Sequence, residues 1–176
     1  MADMLVKLYT LPPLAPHRAR LAKQAIEIRR AHATEQDLVT DWTRQHFSET
    51  WGRECRVAIQ RYPASCYLAV EKRRPPAEGN PYAQPPELLL GFACYNVAAL
   101  GLFGPTGVRE DYRGRGIGTA LLLAALHAMK AEGYAYAAIG WAGPTGFYAK
   151  TVGAIPIEGS EPGVYRGPLT AHRDQD

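Results

Sequence analysis

The sequence predicts an α+β fold built on a mixed sheet, and three observations predict it. Short apolar–polar alternations such as Ile26-Glu27-Ile28-Arg29 separate segments with helical signals, which gives strands interspersed with helices. Two strand-like runs, Cys66 to Glu71 and Leu88 to Val97, flank a proline-rich insert that reads as an exposed hairpin tip. A third passage, Leu100 to Ile139, runs strand, glycine-rich turn, helix, strand, and two strands joined by a helix must lie parallel.

Taken in order, Leu5 to Leu11 alternates loosely and is ended by Pro12, Pro13 and Pro16, so residues 1–25 read as an N-terminal extension packed on the surface of the main domain. Ile26 to Ala31 is the first strand of a domain spanning 26–169. Thr34 caps the helix that follows, with Asp37 three residues on in the acidic form of a capping box, and Leu38, Val39 and Trp42 form its apolar face. A second helix is expected from about Arg53 to Arg61, with Val57 and Ile59 buried and Pro63 as its stop. Between the two helices lies a loop rich in aromatic and ionisable residues, His46 to Gly52. After the hairpin, the helix from Ile117 to about Ala131 is apolar nearly all round and must be buried against the sheet. Gly133 ends it, Tyr134 to Ile139 is a strand, and Phe147 to Lys150 lies in a short helix ending near Gly153. Ala154 to Ile157 and Gly163 to Arg166 read as a closing pair of strands, and 170–176 as a frayed tail.

The tetrapeptide Gly-Pro-Thr-Gly occurs twice, at Gly104 to Gly107 and at Gly143 to Gly146, each towards the end of one of the two parallel strands. Proline cannot donate to a ladder, so the strands are expected to stop pairing there and splay apart.

The turn between the first of these strands and the long helix carries the chemistry. Gly114, Gly116 and Gly118 let the backbone take positive φ and approach a ligand, while the unpaired N–H groups of the first helical turn point at the same place. Arg113 and Arg115 add donors suited to phosphate oxygens, so the expected ligand is a phosphate or pyrophosphate. A dinucleotide fingerprint, Gly-x-Gly-x-x-Gly, fails: its third glycine would fall on Thr119 or Leu121.

Arg113-Gly114-Arg115-Gly116-Ile117-Gly118 fits Arg-x-x-Gly-x-Gly, and with Thr119-Ala120-Leu121-Leu122 behind it the run closely resembles the acetyl-CoA signature of the GNAT superfamily of N-acetyltransferases. Phe147-Tyr148-Ala149-Lys150 followed by Gly153 resembles that family's Phe-Tyr-x-Lys-x-Gly run with one residue inserted. The resemblance implies a three-layer αβα architecture, with a central mixed, mostly antiparallel sheet, splayed parallel strands at the cofactor site and helices on both faces. It implies acetyl-CoA as cosubstrate and no metal, with Thr106, Gly107 and Val108 pairing with pantetheine and the backbone from Gly114 through Ile117 to Thr119 holding the pyrophosphate. It also makes Tyr148 the general acid for the departing thiolate.

Direct transfer to a primary amine needs a base as well, and the strand Leu100 to Val108 has no carboxylate. Glu54, Glu49 and His46 are the candidates, with Glu54 the choice; a water chain to solvent is another route. The loops His46 to Glu54 and Glu158 to Glu161 are expected to flank the acceptor, and their acidic residues suit a cationic small-molecule or peptide amine. The rival reading is a non-catalytic acyl-CoA-binding or sensor module of the same fold.

Composition narrows the partners. A net charge of +3 over 176 residues argues neither for nucleic acid nor against a polyanionic cofactor. Cys55, Cys66 and Cys94 are odd in number and far apart in sequence, which predicts reduced thiols rather than disulfides or a zinc site. The N-terminus lacks a basic, then apolar, signal pattern and no apolar run spans a bilayer, so a cytoplasmic protein without a membrane is expected. A homodimer is common in the resembled family.

Overall fold

The computed structural model describes residues 1–73 and 86–164. Seven strands form one sheet in the order β2-β3-β4-β5-β6-β1-β7. They are β1 (Met4–Lys7), β2 (Ile26–Arg30), β3 (Cys66–Lys72), β4 (Glu87–Tyr95), β5 (Leu102–Val108), β6 (Tyr136–Ile139) and β7 (Ile155–Pro156). The helices are α1 (Ala15–Ala22), α2 (Gln36–His46), α3 (Glu49–Gln60), α4 (Ile117–Ala131) and α5 (Thr145–Val152). Among the described residues only β5 and β6 pair in parallel, so the sheet is mixed and mostly antiparallel.

Side chains that alternate along each strand divide the interior into two cores, as the two-residue period of a strand requires. On β3 and β4, Ala69, Ala93 and Tyr95 face the layer of α1, α4 and α5, while Leu68, Val70, Phe92 and Cys94 face that of α2 and α3. The molecule is thus a three-layer αβα sandwich. Cys66 and Cys94 are register partners, and Cys55 of α3 packs onto them, its Sγ 3.8 Å from that of Cys94; all three are free, buried thiols.

Four local expectations change. Residues 1–25 are not merely laid on the surface: β1 is an inner strand, with Met4 opposite Ile139 of β6 on one side and Pro156 of β7 on the other. α1 then lies against α4, with Leu21 fully buried and the His127 ring hydrogen-bonded to the Pro12 carbonyl at 2.8 Å. This cover is why α4 can be apolar on its outer side too. Second, α3 starts at Glu49, four residues before the expected Arg53, because the Ser48 hydroxyl accepts the Trp51 N–H at 3.2 Å and caps the helix. Its buried positions are Gly52, Cys55, Ala58 and Ile59, and Val57 faces solvent.

Third, Thr34 is inside a 3-10 turn, Ala33–Glu35, and the reciprocal bond comes from Glu35, whose carboxylate accepts the His32 N–H at 2.7 Å; Leu38 is exposed. Fourth, β7 pairs with β1, and the strand expected at Gly163 to Arg166 runs past the described residues. The proline-rich insert (74–85) and the tail also lie outside them.

Candidate active site

β5 and β6 are in register only at Leu102 with Ala138 and Phe103 with Ile139. β5 continues to Val108 while still paired with β4, whose Gly91 faces Val108. From Gly104 onward the other edge of β5 has no strand beside it. The expected splay is present, and its first Gly-Pro-Thr-Gly copy begins where pairing stops. A cavity of about 1060 Å³ passes through this gap.

At one end lies the glycine turn. Gly114 and Gly116 take φ of 78° and 86°, conformations that cost an L-residue about 1–2 kcal/mol, and Gly116 is the N-cap of α4 with no side chain capping it. The first N–H groups of α4 are therefore left for a ligand. Arg113, Gly114, Gly116, Ile117, Gly118 and Thr119 all line the cavity, as do Thr106, Gly107 and Val108 along the open β5 edge. The Thr106 hydroxyl itself is engaged by the Phe92 carbonyl at 3.0 Å, so its free edge is backbone. Arg115 is the exception among the expected residues: its guanidinium lies over the Tyr112 ring, 4.5 Å from the centroid, and outside the lining.

On the wall formed by α3, the early start of the helix matters. With Ser48 as cap, Trp51 and Glu54 fall three residues apart on one face of the helix, and both line the cavity. Burial raises the Glu54 carboxyl to about 6. Glu49 is instead exposed and paired with Arg44 and Arg53, and the His46 ring stacks on Trp42, 4.5 Å between centroids. Neither lines the cavity, and neither does the Glu158 to Glu161 loop. Among the described residues that line the cavity, Glu54 is the sole carboxylate.

Tyr148 enters from α5, 6% exposed, with its ring edge-on to Phe103 at 6.4 Å and to Phe147 at 5.2 Å. Burial pushes its phenol above the usual value, which keeps it protonated.

Three contributors escaped the sequence reading. The Phe47 ring covers Gly107, where a Cβ would stand 2.6 Å from it, and stacks on Trp51 at 5.5 Å. Trp141 follows β6 with φ of 45° and lines the cavity. Arg20 of α1 reaches the turn: a Cβ on Gly116 would stand 1.9 Å from its guanidinium. Only Trp51's spacing to Ser48 offered a local signal, since the contacts of Phe47 with Gly107, Trp141 with Asp3 and Arg20 with Gly116 join segments far apart in the chain. Among the described residues no cluster of three or more His, Cys, Asp or Glu could hold a metal, and no helix is long and apolar enough to cross a membrane.

Comparison with known proteins bears on this geometry directly. The model of the acetyltransferase (GNAT) family matches residues 36–153. The chain belongs to this family. The part of this GNAT chain that matches runs from α2 through α5 and contains the turn, the splay, Glu54 and Tyr148, but leaves out β1 and α1. Its fold is similar to that of a GCN5-related glucosamine N-acetyltransferase region in a fungal multi-domain GH3 beta-N-acetylglucosaminidase, at 14% identity and a TM-score of 0.65, covering 89% of this chain and 19% of that one. It is also similar to a GCN5-related N-acetyltransferase from Sphaerobacter thermophilus, at 19% identity and a TM-score of 0.61, covering 89% and 48% of the two chains. A third, from Kribbella flavida, is 16% identical with a TM-score of 0.52, covering 88% and 53%. At these identities the likeness is one of fold. The GNAT chain spans about a fifth to about a half of the length of these structures. No curated protein matches it.

Proposed function

We propose that this protein transfers an acetyl group from acetyl-CoA to a primary amine by direct attack in a ternary complex. The observation that carries the reading is the single cavity that joins the glycine turn, the open β5 edge, Glu54 and Tyr148. The residues present fit the cosubstrate. Left-handed glycines at the N-cap leave helix N–H groups for a diphosphate, and an unpaired strand edge offers backbone to an amide-containing arm. When bound there, acetyl-CoA supplies an activated acetyl thioester.

The protein's own groups then handle the protons. Glu54, ionised above about pH 6, accepts the proton that an ammonium must lose before its nitrogen can form the new C–N bond. Tyr148 donates its phenolic proton to the sulfur as the C–S bond breaks, and burial keeps that proton in place until then. The arrangement needs no acyl-enzyme nucleophile, and Cys55, Cys66 and Cys94 are buried in the other core. Glu54 in the cavity is also what favours an enzyme over a non-catalytic acyl-CoA-binding module. For the acceptor, a sugar amine is one candidate by analogy with the name of the fungal relative.

A thermal shift with acetyl-CoA, CoA and NAD in parallel, with Arg113→Glu as control, tests the cosubstrate. Acetyl-CoA at about 100 times its Kd is expected to stabilise the native state by roughly 2.7 kcal/mol, NAD not at all, and the control less. Absence of any shift with saturating acetyl-CoA would overturn the reading. Release of CoA thiol on addition of an amine then separates the enzyme from the binding module.

A further inference from the structure

The three thiols on the α2 and α3 side of the sheet play no part in the chemistry proposed above. Cys94 of β4 donates its S–H to the Sγ of Cys55 on α3 at 3.8 Å, and the Thr43 hydroxyl of α2 donates to the same sulfur at 3.6 Å. Cys66 stands opposite Cys94 on the neighbouring strand. All three cysteines are free and fully buried, in the core that holds Val39, Ala58, Leu68 and Phe92.

Donors aimed at one sulfur favour its thiolate, which is the nucleophilic form. Hydrogen bonds from Cys66, Cys94 and Thr43 together outweigh burial and hold the Cys55 thiol below its ordinary value, whereas burial pushes Cys94 well above and keeps it protonated. A nucleophilic sulfur therefore lies against a thiol that can resolve it. Access comes through α3, a surface helix whose Arg53, Val57 and Gln60 face solvent and whose Glu54, the residue before Cys55, lines the cavity. Local opening of such a helix exposes the pair to a small oxidant.

A bridge from Cys55 to Cys94 asks the least of the backbone. Cys66 and Cys94 sit on strands already fixed to each other by the ladder, while α3 meets β4 through side chains and can yield. An S–S bond is about 2.0 Å long, so closing the 3.8 Å gap draws the two sulfurs together by about 1.8 Å. That movement falls on the helix that carries Trp51 and Glu54 to the cavity. We propose that Cys55 and Cys94 are a reversible oxidation site, in which a peroxide converts the two thiols into a disulfide that pins α3 to β4 and shifts its cavity face. The Cys55 thiolate attacks one peroxide oxygen and the O–O bond breaks, which leaves a sulfenic acid and a hydroxide that the released thiol proton turns into water. The Cys94 sulfur then attacks the Cys55 sulfur, the S–O bond breaks, and the Cys94 proton leaves with the oxygen as a second water. Two electrons pass from the sulfurs to the peroxide. Exchange with a small dithiol restores both thiols.

The test is oxidation of the reduced, folded chain with excess hydrogen peroxide, followed by alkylation in guanidinium chloride and peptide mass analysis. Untreated protein is expected to give three alkylated cysteines and oxidised protein one, the other two being bridged. The Cys55 and Cys94 peptides should then run as one linked pair, lighter by two hydrogens than their sum and separated by dithiothreitol. In a nitrogen-15 correlation spectrum, with the Trp51 indole N–H assigned through Trp51→Phe, that resonance should be displaced in the bridged chain and return on reduction. Three free thiols after treatment, a bridge through Cys66, or Cys55 carried to sulfinic acid without a bridge would each overturn the proposal. A bridged chain whose Trp51 resonance does not move would overturn the shift of the cavity face.

Discussion

Glu54 and Tyr148 reach the cavity from different helices, and burial acts on both in the same direction with opposite chemical consequences. Raising a carboxyl to about 6 makes it a better base near neutrality, and raising a phenol keeps it an acid. Glu54→Gln is expected to lower kcat/KM by about 10²-fold, within the usual range for a general base, with acetyl-CoA affinity retained in calorimetry. Wild-type kcat/KM should fall about tenfold per pH unit below about pH 6, the limb that Glu54→Gln removes. The stability consequence has the reverse sense. Because the folded-state pKa lies above the ordinary value of 4.5, the contribution of the protonated carboxyl is present below pH 4.5 and lost as pH rises through about 6. The melting temperature of Glu54→Gln relative to wild type should therefore climb across that window, and a flat difference would mean that Glu54 is not desolvated. Tyr148→Phe should cut kcat by a factor on the order of 10² while leaving acetyl-CoA affinity nearly intact; an undiminished kcat would remove the phenol from the mechanism.

The element with the most demanding backbone is the turn into α4, where Gly114 and Gly116 take positive φ. Gly116→Ala places an L-residue at a φ of 86° and a Cβ against the Arg20 guanidinium, so it should cost about 1–2 kcal/mol of stability in denaturant unfolding and weaken acetyl-CoA binding. Arg20 supplies something the motif does not contain. With Arg115 turned onto Tyr112, a cation from α1 helps to set the field at the cradle. Arg20→Ala is expected to weaken acetyl-CoA binding about 3- to 10-fold, more so at low salt, and to leave acetyl-pantetheine, which lacks the diphosphate, unaffected. Equal losses for the two ligands would show that Arg20 acts on the fold and not on the phosphates.

Across the whole molecule, the first two elements complete the sheet and cover α4. β1 separates β6 from β7, so those two strands are neighbours only through it, and Met4 and Val6 lie in the main core at 1% and 0% exposure. Met4→Ala should cost about 2–5 kcal/mol in equilibrium unfolding, the usual range for truncating a buried methionine, where a segment merely resting on the surface would lose little. Asp3, just before β1, also accepts the Trp141 backbone N–H at 2.9 Å, so this N-terminal segment holds a residue of the cavity lining as well as the sheet.

How much of this was legible depended on how far apart the determining residues stand. Helix α4 and its glycine turn were readable because positive φ, an open N-terminus and an apolar helix are properties of a few neighbouring residues. The splay was readable in part: Pro105 lies where β5 leaves β6, whereas Pro144, expected at the end of β6, lies past Ile139 and is the N-cap of α5. Ser48 was equally local, but the aromatic and ionisable residues around it masked the cap, and with it the placement of Trp51 and Glu54 on one helical face. The rest required long-range pairing. Met4 opposite Ile139, Asp3 on Trp141, Arg20 beside Gly116 and Phe47 over Gly107 each join segments that carry no shared local signal. Local residues were enough for the α+β class and for the glycine turn that opens α4, because backbone conformation and hydrophobic period are encoded over short stretches. Which carboxylate enters the cavity, which cation of α1 lies by Gly116 and which rings line the cavity emerged only in the folded chain, because those follow from how distant segments bury one another.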